Sequence, residues 1–533
     1  MPLGHNEGAR PPSEKPLRPM TDILGHSSKG TDRMAGKAYA DFIELVKEYY
    51  DVGYGQGWLQ WDQEVMMPEG GAAERASQLA TLAKVAHGML TSDRMGSLLK
   101  ELEGAPDLTP EEAANVREVK WMYDRAVKMP PELVKELTKH SSLAMQAWQK
   151  ARKANRYKDF EPFLQHMIDL KCQQANAIGY EDVPYDALLD EYEPGARSRD
   201  VVKVFDSLQS RLTPIVKAIV DSDVKPDEGI LTKAFPIDKQ RDFGNWLVRE
   251  IGYDYNCGRT DVSAHPFTTG SIQDVRFTTR FQERDIRPAL FANIHEAGHA
   301  IYQQGIDPKN YGTPMGDSVS LGIHESQSRF WENVIGRSRP FWRCYYPDLK
   351  KAFPRQFRNV RLPDFYAAIN LVRPSLIRVE ADEVTYSLHI MLRFDIERKM
   401  VNGELCAKDV PEVWNEKMRQ YLGITPPNDA DGCMQDIHWS MGYQGYFPTY
   451  ALGNIYAAQL THKMERSVKG FWDLVERGEF KPIKGWLNRN IHSKGRLLRA
   501  EDLIKGLTGE GLNADHYIAY IKSKFGPIYD VRL

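Results

Sequence analysis

His295, Glu296 and His299 stand in the order H-E-x-x-H, a spacing suited to hydrolytic chemistry if the segment is helical. Residues four apart on a helix share a face about one turn apart, so both imidazoles can reach one ion. Glu296 directly follows the first histidine and can reach a water on that ion without binding the ion itself. A zinc ion holding two imidazoles and a carboxylate keeps a position for water and brings that water's pKa toward ~7. Glu296 would then take the water's proton as general base. The competing reading is a chance match on a buried helix, with both histidines bonded to core neighbours.

The flanks favour a helix. Leu290, Phe291, Ile294, Ala297 and Ile301 recur at helical spacing, and Pro288 sits near the start, where proline is tolerated. Gly298 costs ~1 kcal/mol against alanine in a helix, so a packing or access reason is expected for it. A second segment, Gly322-Ile323-His324-Glu325-Ser326-Gln327-Ser328-Arg329, begins about two dozen residues downstream, far enough for a loop and a returning helix. It offers His324, Glu325 and Glu332 as third donors, and spacing alone does not choose among them. Arg329 with Glu332, three apart, also reads as a solvated helical pair.

The elements around this pair come from a chain of 533 residues, 42% hydrophobic and 27% charged, which provides for a large core. A net charge of -3 argues against nucleic-acid binding. No run approaches the roughly 18 apolar residues of a membrane span. Cys172, Cys257, Cys344, Cys406 and Cys433 are scattered without C-x-x-C spacing, which suggests neither a disulfide framework nor a cysteine metal site and makes a cytoplasmic location the expectation. Residues 1–36, rich in Pro, Gly, Ser and charge, read as a disordered extension to a single domain over 37–533.

Periodicity in the first half is helical. Tyr39, Phe42, Ile43, Val46 and Tyr49 form one stripe, a break is expected at Trp58-Leu59-Gln60-Trp61-Asp62, and a helix follows from near Ala72. Further helices are expected over 111–127, 131–154, 160–177 and 199–221, with Trp148 and the basic residues after it on an exposed, charge-laced surface. Between 254 and 281 the texture turns to β-branched residues and turn formers, predicting a strand pair beside the H-E-x-x-H helix. Such a pair could brace the helix or hold an extended peptide on its edge. Helices follow over 330–335, 363–371 and a long one over 375–400, whose Arg378, Glu380, Asp382, Glu383, His389, Arg393 and Glu397 suggest a polar strip facing a cleft. The late run around His438, Tyr446 and Tyr450 reads as a loop whose phenols face something polar.

Several separated motifs resemble the carboxypeptidase Taq family of thermostable zinc carboxypeptidases. Beside His295-Glu296-Ala297-Gly298-His299, Asp274-Val275-Arg276-Phe277-Thr278 is similar to its D-x-R-x-T, and His324 through Arg329 to its H-E-S-x-S-R. Ile377-Arg378-Val379-Glu380-Ala381-Asp382 is similar to I-R-x-x-A-D, and Gly432 through Trp439 to G-x-x-Q-D-x-H-W. Trp61-Asp62 with Met67-Pro68, and Tyr185 through Gly195, also look like family segments, so the likeness spans roughly residues 38–533.

The resemblance implies a mainly α fold: one large, saddle-like or bilobed helical body with a deep groove and a small β-sheet beside the zinc helix. It implies a homodimer acting on peptides with a free C-terminus. The third ligand it implies is Glu325, in place of His324 or Glu332. Arg378 is implied to grip the substrate's terminal carboxylate, a task that suits a guanidinium fork. By analogy with other helical H-E-x-x-H peptidases, His438 and Tyr450 stabilise the oxyanion, with Tyr446 in reserve, and His265 contacts the peptide backbone. The expected activity is zinc-dependent release of single C-terminal residues, with cobalt or manganese as other metals the site could take. The rivals are an endopeptidase or dipeptidyl carboxypeptidase with the same zinc site, and a non-catalytic metal-binding scaffold, against which the intact Glu296 argues.

Overall fold

The computed structural model describes residues 35–533, so all but the last two residues of the expected N-terminal extension lie outside the described part. The first element, α1 (Gly36–Val65), runs through the expected break at Trp58. The tryptophans there are held by cations of the sheet: the Arg276 guanidinium lies 4.2 Å from the Trp58 ring centre and 4.8 Å from that of Trp61, with Arg259 at 5.2 Å from Trp61. Those tertiary contacts keep helical a stretch that three glycines make locally weak.

Helices α2 (Ala72–Leu90), α3 (Asp93–Leu102), α4 (Pro110–Lys128), α5 (Pro131–Ala154) and α6 (Tyr157–Ile178) follow, all but α3 as periodicity predicts. Helix α4 opens on a full capping box, Thr109 with Glu112, and a proline at its first position. Trp148 departs from expectation. Its ring is buried and its Nε1 donates to the Met434 carbonyl at 2.8 Å, so this face of α5 packs on the later half of the chain. Helices α7 (Pro184–Leu189), α8 (Ser198–Asp221) and α9 (Ile237–Glu250) complete the first half.

The expected strand pair is a three-stranded sheet in the order β1-β3-β2. Strand β1 (Gly258–Val262) pairs parallel with β3 (Val275–Thr279), and β2 (Thr268–Gly270) pairs antiparallel with β3. A π-helical turn, Pro288–Ala292, then leads directly into α10 (Asn293–Gln304), and α11 (Leu321–Arg329) returns across it. A second π-helical turn, Phe330–Ile335, extends α11. The glycine in α10 has the packing reason expected of it. A Cβ on Gly298 would lie 2.7 Å from the Ser328 Cα of α11, so the two helices cross at backbone distance.

Helices α12 (Arg339–Ala352) and α13 (Leu362–Ile369) come next. The long helix expected from residue 375 begins only at Tyr386, as α14 (Tyr386–Val401). Asp382 accounts for the delay: its carboxylate accepts from the backbone N–H groups of Arg373, Val384 and Thr385, which fixes a turn ahead of the helix. Arg378 therefore sits on irregular chain, and His389, Arg393 and Glu397 are fully buried in the core rather than on a cleft wall. The remaining helices are α15 (Val410–Leu422), α16 (His438–Met441), α17 (Pro448–Ser467), α18 (Phe471–Glu476), α19 (Lys481–Asn490), α20 (Ala500–Thr508) and α21 (Asp515–Tyr529).

The architecture is thus mainly helical with one small sheet beside α10. One large apolar core joins α5 through α21, and a smaller one around Phe42, Val46, Met95, Leu99 and Val119 binds α1, α3 and α4. Among the described residues no helix is long and apolar enough to cross a membrane.

Buried acids in this core make stability depend on pH. Glu397 accepts from Trp439 Nε1 at 2.8 Å, Tyr185 Oη at 2.9 Å and the Gly445 N–H at 3.1 Å, yet burial pushes its carboxyl up to about 7 from the usual 4.5. Between those values the folded chain holds a proton that the unfolded chain has released, so this group's contribution falls as pH rises through the interval. Urea denaturation at steps across that interval is expected to show a shallower pH slope for Glu397→Gln than for the wild type.

Candidate metal centre

His295 and His299 lie on α10 one turn apart, and Glu325 projects from α11 where the two helices cross. Their ligand atoms all fall within 4.8 Å of one another. Glu325 Oε2 stands 3.6 Å from His295 Nε2 and 3.4 Å from His299 Nε2. Tetrahedral coordination with bonds of about 2.0–2.1 Å separates neighbouring ligand atoms by about 3.3–3.4 Å. These separations and the two-imidazole, one-carboxylate donor set fit a small divalent ion.

The outward atoms of the cluster are fixed. Glu332 Oε2 lies 2.9 Å from His295 Nδ1, which leaves Nε2 to face Glu325. Arg329 Nε donates to Glu325 Oε1 at 2.7 Å and Ser328 Oγ to Oε2 at 2.9 Å. Arg329 also reaches Glu332 Oε2 at 3.2 Å, and Arg337 reaches Oε1 at 3.2 Å. Burial opposes ionisation of Glu325, but the Arg329 charge and both imidazoles outweigh it and hold the carboxyl well below its ordinary range. Glu332 is likewise carried down to about 2, against its burial, by His295, Arg329 and Arg337.

Two of the three third-donor options are thereby placed elsewhere. Glu332, expected as half of a solvated pair, is buried behind His295, and its partner Arg329 is half-buried beside it. The ring of His324 stacks flat on that of His299, 4.3 Å between centres at 13°, so it covers the imidazole rather than joining the cluster. Burial, then the neighbouring His299, push His324 well below its ordinary value and keep it neutral.

Glu296 is buried beside the first imidazole. Its Oε2 accepts from Thr268 Oγ1 at 2.6 Å, which ties it to β2. The backbone of β2 is itself informative. Phe267 accepts from the Thr278 N–H of β3, and Ser271 donates to the Asp274 carbonyl just ahead of β3. By alternation Thr268 and Gly270 turn their N–H and C=O groups away from the sheet, where no partner stands among the described residues.

The other expected residues fall into two groups. Arg378, His438, Tyr446 and Tyr450 come together: the Arg378 guanidinium lies 5.3 Å from the Tyr450 ring centre, Tyr446 stands 5.2 Å from Tyr450, and His438 is 5.7 Å from Tyr446. The Glu325 charge acts on both phenols, which are raised chiefly by burial. Burial takes His438 down to about 4, and its buried Nδ1 has no partner among the described residues. His265 stands apart, exposed on the loop from β1 to β2.

Arg378 is not the free fork that its expected role suggests. Its Nε and Nη2 donate to Asp436 Oδ1 at 3.1 and 2.8 Å, and its Nη1 to Tyr386 Oη at 3.0 Å. Asp436 also accepts from Arg393 Nε at 2.6 Å, so two buried guanidiniums share one carboxylate and a positive charge is left over. Sequence reasoning assigned no part to Asp436 or Thr268, and it offered Glu332 as a metal donor or a solvated partner of Arg329 rather than as the acid behind His295. Only for Glu332 was there a signal, its place seven residues beyond Glu325 on what proved a continuing helix.

The family model for carboxypeptidase Taq (M32) metallopeptidases matches residues 41–525. Carboxypeptidase 1 of Bacillus subtilis is 42% identical over 491 residues, 92% of this chain and 98% of that protein. Thermostable carboxypeptidase 1 of Thermus thermophilus is 41% identical over 505 residues, 92% of this chain and 99% of that one. Among solved structures, an M32 carboxypeptidase from Deinococcus radiodurans superposes with a TM-score of 0.91 at 37% identity, covering 93% of this chain and all of that one. A Pyrococcus furiosus carboxypeptidase gives 0.90 at 39%, covering 92% and 99%.

Removing the acid behind His295 should loosen the centre without touching a ligand atom. Glu332→Ala is expected to weaken divalent-metal affinity about 10–100-fold, measured by titration in metal buffers with elemental analysis of the protein.

Proposed function

The chain belongs to the carboxypeptidase Taq (M32) metallopeptidase family and is a metallocarboxypeptidase, a hydrolase of peptide bonds that uses a divalent metal; on that premise we propose that His295, His299 and Glu325 hold zinc and that Glu296 is the general base. The observation that carries this is the sharing of Glu325 Oε2 between two imidazole nitrogens at 3.4 and 3.6 Å, with Glu296 on the same helix. Bound there, zinc supplies a Lewis acid and a water of lowered pKa. Glu296 takes the proton of the attacking water and delivers it to the leaving amine nitrogen, while the Thr268 hydroxyl fixes the carboxylate's direction.

The substrate is held at both ends. Its main chain pairs with the outward N–H and C=O groups of Thr268 and Gly270, as an added strand on β2, and His265 meets it where the loop enters that strand. Its terminal carboxylate offsets the surplus charge of the Arg378, Asp436 and Arg393 cluster. Arg378 has three of five N–H groups engaged, which leaves one on each terminal nitrogen to donate. His438 and Tyr450, with Tyr446 behind them, donate to the carbonyl oxygen as it becomes negative. Glu296 does its work beside the bond that joins the last residue to the rest, so one residue leaves per turnover.

Two measurements test this. Glu296→Gln is expected to keep its metal content and lose at least about 10²-fold in kcat; retained turnover would remove Glu296 from the mechanism. A peptide amidated at its C-terminus is expected to lose about 10–100-fold in kcat/KM against the free acid, the worth of one or two charged hydrogen bonds. Mass spectrometry of the digest should show single-residue steps; two-residue steps would assign a dipeptidyl enzyme.

A further inference from the structure

A cavity of about 550 Å³ opens beside β2, between α1, α4 and the start of α11. Its walls include Tyr49, Tyr54, Trp121, Met122, Tyr192 and Leu321. It reaches Thr269 and Gly270 of the strand whose neighbour Thr268 holds Glu296, and it shares no residue with the Arg378 cluster. From the reading above, in which the terminal carboxylate lies at Arg378 and the peptide pairs along β2, we propose that this cavity is a specificity subsite. It takes a large aromatic or apolar side chain of the substrate upstream of the scissile bond.

The sequence of α1 gives an independent reason. Gly53, Gly55 and Gly57 fall within one helix, where glycine is the poorest choice short of proline. Gly53 and Gly57 are four apart, on one face, and both line the cavity. Gly57 is explained by packing, since a Cβ there would meet Thr269 Oγ1 at 3.4 Å. Gly53 is not: a Cβ there would have nothing within 4 Å. The helix gives up a side chain where no protein atom needs the space, and the free space lies in the cavity.

The polar groups of the cavity define what it rejects. Tyr50 Oη donates to Asp317 at 2.7 Å, and Arg496 stands 3.6 Å from the same carboxylate and donates to the Ser318 carbonyl. Among the described residues that line the cavity, the one guanidinium is therefore already matched, and Glu191 is matched too, by Arg125 at 3.4 Å. An acidic side chain would gain no free cation, whereas an aromatic one would bury its faces against rings. Thr268 to Gly270 is two strand steps, ~3.3 Å each, which places the recognised residue second or third upstream of the bond cut.

The test uses the full-length metal-loaded enzyme and acetylated peptides sharing one C-terminal residue, with Phe, Ala or Glu placed in turn at the first to fourth upstream positions. Phe at the second or third position is expected to raise kcat/KM about tenfold over Ala, with Glu below Ala. In Gly53→Phe the added ring fills the cavity. The advantage of Phe should then vanish, while an acetylated dipeptide, too short to reach the cavity, is cleaved at the wild-type rate. Equal rates for Phe, Ala and Glu at every position overturn the subsite, as does a Gly53→Phe enzyme that keeps the preference or loses the dipeptide as well. A wild-type enzyme that releases no C-terminal residue from any of these substrates overturns the reading of the centre, and the subsite with it.

Discussion

The buried carboxylate of Glu325 sets the terms for the rest of the structure. An ionised acid inside a protein costs several kcal/mol unless its oxygens are matched. Here Oε1 takes Arg329, and Oε2 takes Ser328 and faces both imidazoles. Such matching requires three helices to come closer than ordinary side chains permit. Gly298 lets α10 reach the backbone of α11, and Gly453 of α17 leaves room for Glu325 itself, whose Cγ a Cβ would meet at 2.5 Å. The N-terminus of α11 is held just as firmly. Glu193 accepts from Ser320 Oγ at 2.9 Å, Gly322 N–H at 2.9 Å and Tyr456 Oη at 3.2 Å, which locks the helix to α17.

From this point a line of charge crosses the core. At this end the acids Glu325 and Glu332 meet Arg329 and Arg337, and the carboxyl of Glu296, held by Thr268 rather than by an arginine, adds a third acid to the two guanidiniums. The ring of Tyr386 then links Arg329, 4.6 Å away, to Arg378, whose Nη1 it accepts. Beyond it, Arg378 and Arg393 share Asp436, and that end keeps a positive charge. The difference matters because a surplus charge in a low-dielectric interior acts strongly on an incoming anion. A cation for the first end and a carboxylate for the second are the complements that these two compositions call for.

The two histidines were legible because a helix repeats every few residues and the pattern depends on nothing else. The third donor was not legible from spacing. His324, Glu325 and Glu332 all lie near enough in sequence, and the choice turns on facts of packing: His324 lies flat on His299, and Glu332 sits at the far nitrogen of His295. Only the likeness to a known family singled out Glu325 in advance. The misread elements share one cause. At Trp58 the local signal for a break lost to cations arriving from the sheet, and at 375–385 the local signal for a helix lost to Asp382 capping a turn. The Asp436 cluster was hidden for the same reason, because its partners come from stretches about 40 to 60 residues apart.

A sheet of three short strands in a helical protein needs a reason, and its free edge supplies one. Helix side chains read particular residues, while a strand edge offers N–H and C=O groups that any peptide can meet. An enzyme that removes residues from a chain end presents itself with a new sequence after every cut. Its grip on the main chain must then be indifferent to sequence, and the outward groups of Thr268 and Gly270 have that property. Both faces of the strand are covered, by α10 through Thr268 and by α1 through Thr269, so among the described residues the edge is the direction left open for a partner. Selectivity has to be added from outside the sheet, and on the reading proposed above α1 adds it by leaving out a side chain at Gly53, while Gly57 lets the helix lie against Thr269. The helix loses local stability at those positions and gains it back through the tryptophans one turn on, where the sheet's arginines hold it in place.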